Sequence, residues 1–231
     1  MKRSTESNKG KKVVTVVLFR YVIGILVFGV LLFLPAGTVR YWEAWVFLAI
    51  LFVPMSFVLL YLIRYDPELL ERRMRTKEKE VPQKLLIKIS IIPFLATFVI
   101  AGLDHRFGWS LVPIVVIIVA DILIFSGYMF FFLVLRENSY ASRVVEVEND
   151  QNVISTGPYA CIRHPLYLSV VFIYLFSPIA LGSFWALIGM SPLPLVLILR
   201  IKNEESLLKS ELVGYEKYTN KVRYRLIPGV W

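Results

Sequence analysis

The chain of 231 residues contains one cysteine, Cys161, and two histidines, His105 and His164. One cysteine excludes an intramolecular disulfide. One thiol and two distant imidazoles also fall short of the ligand set of a structural zinc site, so no metal centre is expected. Charge is scarce: 19% of residues are charged against 57% hydrophobic, and 17 acids face 26 bases. No Gly-x-Gly-x-x-Gly occurs, which removes the usual opening of a dinucleotide-binding fold. The apolar stretches lack the period-two alternation of barrel strands, which leaves helices as the way across a bilayer.

What the chain does have is apolar runs, and about 20 such residues span the hydrocarbon core as a helix. Six blocks are read, at 13–34, 43–63, 85–103, 109–135, 165–181 and 183–201. The last two are short and separated only by Leu181-Gly182-Ser183, a tight helical hairpin. The first is about twice the length of a signal-peptide core and carries no small-residue cleavage site, so it reads as a retained span. The fold class expected is all-α: a polytopic integral membrane protein of about six transmembrane helices, with a cytoplasmic cofactor-binding loop and tail.

The distribution of the bases explains the net charge of +9. Five Lys/Arg precede the first block, seven lie in 64–84, three in 136–164 and seven in 200–231, whereas the alternate loops hold only Arg40 and Arg106. This positive-inside pattern puts both termini in the cytoplasm. It assigns the basic excess to topology and anionic membrane lipid, not to nucleic acid. Residues 1–12 are polar and basic and are expected to be disordered. Asp66-Pro67-Glu68 reads as a helix start, predicting a short surface helix in the loop 64–84. Pro54, Pro93, Pro113, Pro178, Pro192 and Pro194 are expected to interrupt or kink spans. Asp121, mid-span, is either functional or paired with Arg20 or a polar neighbour.

The hairpin carries the chemistry. Its outbound leg starts at Arg163-His164-Pro165 and its return leg ends at Arg200-x-x-x-Glu204-Glu205. An out-and-back path brings these two ends together, and residues 200 and 204 share a helix face. Arg163, His164, Arg200, Glu204 and Glu205 therefore converge at the inner interface, beside a helix N-terminus that favours an anion. The Gly157-Pro158 pair marks a turn before them, and Val144–Glu148 alternates as an extended piece would.

The ordered set GPYACIRHPLY, LGSFWAL, RIKNEESLL and GYEKYTNKVRYRLIPGVW resembles the isoprenylcysteine carboxyl methyltransferase family of integral-membrane enzymes. The likeness covers residues 104–231, with 13–103 as preceding spans. It implies S-adenosylmethionine as methyl donor, bound without a Rossmann fold. It assigns Glu146, Gln151, Val153, Ile154, Tyr159, His164, Pro165, Tyr167, Glu204 and Glu205 to the cofactor. Arg200 is the implied clamp on a substrate carboxylate, with Arg163 beside it. Ser169 stands where a glycine is common in the family. The implied acceptor is lipophilic and arrives through the bilayer. Three other readings remain open: a lipid N-methyltransferase, a sterol-reductase-like enzyme using a nicotinamide cofactor, and a membrane binder without turnover.

Overall fold

The computed structural model describes residues 2–231 except Lys77, Lys79 and Asn149, with residues 2–12 described for the backbone only. Among the described residues there is no strand. The elements are α1 (Lys2–Ala36), α2 (Trp42–Tyr65), α3 (Pro67–Met74), α4 (Val81–Phe107), α5 (Ile114–Glu137), a 3-10 turn (Gly157–Ala160), α6 (Pro165–Leu175), α7 (Ser177–Ala180), α8 (Ala186–Met190), α9 (Leu193–Glu211) and α10 (Tyr215–Lys221). Five segments are long and apolar enough to cross a membrane: Val13–Ala36, Trp42–Tyr65, Val81–Phe107, Ile114–Glu137 and Ala186–Glu211. The apolar stretch Pro165–Ala180 is shorter. Large apolar side chains cover the outer surface, among them Phe19, Leu26, Phe57, Ile92 and Val115, as a hydrocarbon solvent permits.

The predicted surface helix is α3. Asp66 caps it by accepting the Leu69 N–H at 2.9 Å, and Pro67 occupies its first turn, where a missing N–H costs nothing. Its Leu69 and Leu70 pack on Val58 and Leu62 of α2 and on Leu135 of α5. Arg20 donates to the carbonyl of Met74 at 3.0 Å. It is therefore committed to α3 and does not pair with Asp121, whose Oδ1 is buried without a hydrogen-bond partner among the described residues. The backbone of 2–12 continues α1. Once a helix is nucleated, each further residue adds a bond for little cost.

The hairpin is more broken than its hydropathy implied. Pro178 cannot donate an N–H, so the outbound leg divides into α6 and α7, and Ser191-Pro192 likewise separates α8 from α9. Pro113 and Pro192 cap the starts of α5 and α9; only Pro54 and Pro93 of the expected set lie deep within long helices. Gly182, at φ +70°, turns the chain between the legs. Gly127 of α5 lets α6 approach closely, because a Cβ there would sit 2.7 Å from Phe172 Cβ. α9 then continues well past its apolar part and carries Arg200, Glu204 and Glu205 on one rigid rod.

Candidate active site

His164 caps α6 and Pro165 opens it. The N–H groups of Arg163 and His164 donate to the carbonyls of Tyr224 and Arg225, each at 2.9 Å, so the tail fixes the approach to α6. Tyr167, one turn into α6, bridges the two α9 residues that share a face. Its hydroxyl donates to Glu204 Oε2 at 2.6 Å and accepts from Arg200 Nε at 2.9 Å. The buried His164 ring lies between the glutamates, with Nδ1 3.9 Å from Glu204 Oε1 and Nε2 3.4 Å from Glu205 Oε1. The convergence expected from the hairpin is therefore present.

These groups wall a polar cleft. The irregular loop after α5 contributes Glu146, Gln151, Val153 and Ile154; the hairpin contributes Tyr159, Arg163, His164, Tyr167, Arg200 and Glu204. Val144–Glu148 forms no strand, because its partner is side chains and not a second ladder. Arg75 grips Glu146 at 2.5 Å and Glu148 at 2.6 Å. The hydrogen bond to Glu146 is the main reason the Arg75 guanidinium is held above its ordinary pKa. Gln151 Oε1 accepts the Glu148 N–H at 3.1 Å. Tyr159 accepts from Asn138 Nδ2 at 2.9 Å, and burial pushes its phenol up to about 12, so it stays neutral at physiological pH.

Of the expected site residues, two stand back from the cleft wall, and Arg163, which lines it, also braces the tail. Pro165 and Glu205 do not line the cleft. Glu205 is engaged by two arginines: its Oε1 lies 2.7 Å from Arg163 Nε, and its Oε2 accepts from Arg225 Nε at 2.8 Å. Arg163 also donates through Nη1 to the carbonyls of Val222 at 3.2 Å and Thr219 at 3.4 Å. A buried guanidinium needs such partners, and the tail supplies two carbonyls. Arg200 is also less free than a forked clamp requires. Nε is taken by Tyr167, and Nη2 donates to the Arg143 carbonyl at 2.9 Å and lies 3.6 Å from Glu78 Oε2. Nη1 is the part without a partner among the described residues.

The structure adds cleft residues that the sequence reading passed over: Asn138, Arg143, Leu208, Leu212, Tyr215 and Tyr218. The spacing of Tyr215 and Tyr218 on one face of α10 was the available signal. The Tyr218 hydroxyl donates to the Tyr159 carbonyl at 2.7 Å, while the buried Tyr215 hydroxyl has no partner among the described residues.

A second cavity, of about 480 Å³, opens between α4, α6, α8 and α9. Its wall is apolar, with Ile91, Phe94, Val170, Leu193, Val196 and Leu197. Gly189 of α8 permits the close contact with α4 here, since a Cβ would meet Thr97 Oγ1 at 2.5 Å. Arg143, Tyr167 and Arg200 belong to the walls of both cavities.

The model of the isoprenylcysteine carboxyl methyltransferase family matches residues 116–210. Over those residues the match supports the likeness to that family that the motifs suggested. The match runs from α5 to the end of α9, so it takes in the loop, Tyr159, His164, Tyr167, Arg200 and Glu204. With five membrane-length apolar helices, it supports a membrane methyltransferase. No curated protein matches the chain. The family match stops short of α10 and the tail, whose part in the site is known from the fold alone.

Proposed function

We propose that the protein is an S-adenosylmethionine-dependent methyltransferase that esterifies the carboxylate of a lipophilic, isoprenylcysteine-like acceptor. The observation that carries this reading is the junction of a polar cleft and an apolar cavity at Arg143, Tyr167 and Arg200. A water-borne donor and a membrane-borne acceptor would meet there. The basic loops on the cleft side support a cytoplasmic position for it and for both termini.

The cleft suits the donor chemically. Glu146 and Glu204 offer acceptors to amine or hydroxyl groups, Tyr159 and Tyr167 offer ring faces to a cation, and Val153, Leu208 and Leu212 offer apolar surface. The orphaned Tyr215 hydroxyl is the kind of buried group that a polar ligand satisfies. When bound, S-adenosylmethionine would supply an electrophilic methyl group on a sulfonium, with the neutral thioether S-adenosylhomocysteine as the leaving group.

The chain's own contribution is positional. A carboxylate is ionised near neutral pH, so no residue need remove a proton. Arg200 orients the carboxylate through Nη1, and Tyr167 locks the guanidinium and Glu204 relative to one another. An amine acceptor would instead need a base and would be repelled by Arg200.

The test is a paired measurement on purified protein. Calorimetry with S-adenosylhomocysteine should give binding in the wild type and near-equal binding in Arg200→Lys, while turnover falls sharply in the variant. Lysine keeps the charge but loses the planar donor array. Absence of binding in the wild type would refute the donor assignment. Lost binding with unchanged saturated turnover would refute the role of Arg200.

A further inference from the structure

We infer that Arg143 determines acceptor specificity: its guanidinium and the free Nη1 of Arg200 together receive the acceptor carboxylate at the mouth between the two cavities. This rests on the carboxyl-acceptor reading and adds a residue to it.

Arg200 alone offers too little. A carboxylate presents two oxygens with about four lone-pair sites. With Nε on Tyr167 and Nη2 on the Arg143 carbonyl, Arg200 has one nitrogen left to give. That same Nη2 bond, at 2.9 Å, fixes the backbone of residue 143 beside the Arg200 guanidinium. The Arg143 side chain is exposed, lines both cavities, and has no carboxylate or carbonyl partner among the described residues. The neighbouring acids are engaged elsewhere: Glu204 with Tyr167, Glu146 with Arg75, and Glu78 with the Val145 N–H and Arg200.

A third cation lies close by. The Arg73 guanidinium is drawn down to about 10, first by burial and then by Arg143. An unneutralised pair of like charges is a standing cost that a bound carboxylate removes. The anion could come from either ligand, since the donor also ends in a carboxylate. Location decides: Arg143 borders the apolar cavity as well as the cleft. An amphiphile with its tail against Phe94, Val196 and Leu197 would bring its head to this point.

The experiment uses the full chain in detergent with N-acetyl-S-farnesylcysteine as acceptor and its carboxamide as an uncharged competitor. Arg143→Ala should raise the KM for the acid by about tenfold or more, the scale of a hydrogen bond to a charged group. It should leave the KM for S-adenosylmethionine unchanged and erase the preference for binding acid over amide. Arg143→Lys should recover part of the loss. An unchanged acceptor KM, or a rise in donor KM instead, overturns the role of Arg143 and leaves the carboxyl-acceptor reading standing. If the wild type binds donor but forms no ester from the acid, that reading falls and this inference falls with it. Donor-analogue binding by each variant separates these results from misfolding.

Discussion

At the end of the bundle where α4 leads into α5, Asp104 accepts the Ser110 N–H at 2.7 Å and the hydroxyls of Ser110 at 2.6 Å and Ser183 at 2.5 Å. At the other end, where Gln83 near the start of the same helix binds the Arg200 carbonyl at 3.2 Å, Glu204 accepts one hydroxyl and faces a cleft. The two places lie about 30 Å apart along α4. Both hold a carboxylate that would be costly in a bilayer, but only one is fully supplied from within the protein. The saturated group ties the α4–α5 loop to the hairpin turn, as Ser110 Oγ also accepts the Phe184 N–H at 3.0 Å. The unsaturated end keeps capacity for a ligand. Completeness of internal partnering therefore separates a structural carboxylate from the one proposed to serve the ligand.

Substitutions at the two ends should divide accordingly. The largest effect is expected for Arg200→Lys, with turnover down by about 100-fold, the scale of a displaced reacting group, and thermal unfolding unchanged. Asp104→Ala should do the reverse. It deprives the half-buried Ser110 N–H and the hydroxyls of Ser110 and Ser183 of their acceptor, and should cost about 2–3 kcal/mol of stability in denaturant titrations, while the folded fraction keeps its kcat. A normal unfolding midpoint in Asp104→Ala would break the comparison. Tyr167→Phe should sharpen it: losing the bridge to Arg200 and Glu204 should lower kcat by about tenfold, because hydrogen bonds to charged groups are worth about 1.5–3 kcal/mol. The smallest effect is expected for Gln151→Ala, which frees the Glu148 N–H and should weaken donor-analogue binding by about 1 kcal/mol in calorimetry.

The hairpin end was legible in the sequence because its logic is local. Residues 200 and 204 share a face by helical period, and a short turn at Gly182 must return one leg beside the other. Tyr159, His164 and Tyr167 came with the motif that starts the outbound leg. What the sequence did not reveal depends on the tail folding back. Arg163 and Glu205 read as site residues, and the sequence gives no sign that Val222 and Arg225, from far along the chain, also engage them. Arg200 read as an open fork because its bond to the carbonyl of residue 143 involves backbone, which leaves no trace in side-chain identity. Arg143 escaped notice for the same reason. The Asp104 cluster was equally hidden, since isolated serines at 110 and 183 signal nothing until the loop and the hairpin turn meet.

The most direct test of the central claim is the chemical class of the product. Membranes containing the protein would be incubated with S-adenosylmethionine labelled in the methyl group, and the labelled lipid-soluble fraction treated with alkali. A carboxyl acceptor held at Arg200 predicts volatile label released by base, and its absence from membranes carrying Arg200→Lys. Label that survives alkali would mean transfer to nitrogen, sulfur or carbon and would contradict esterification at this site.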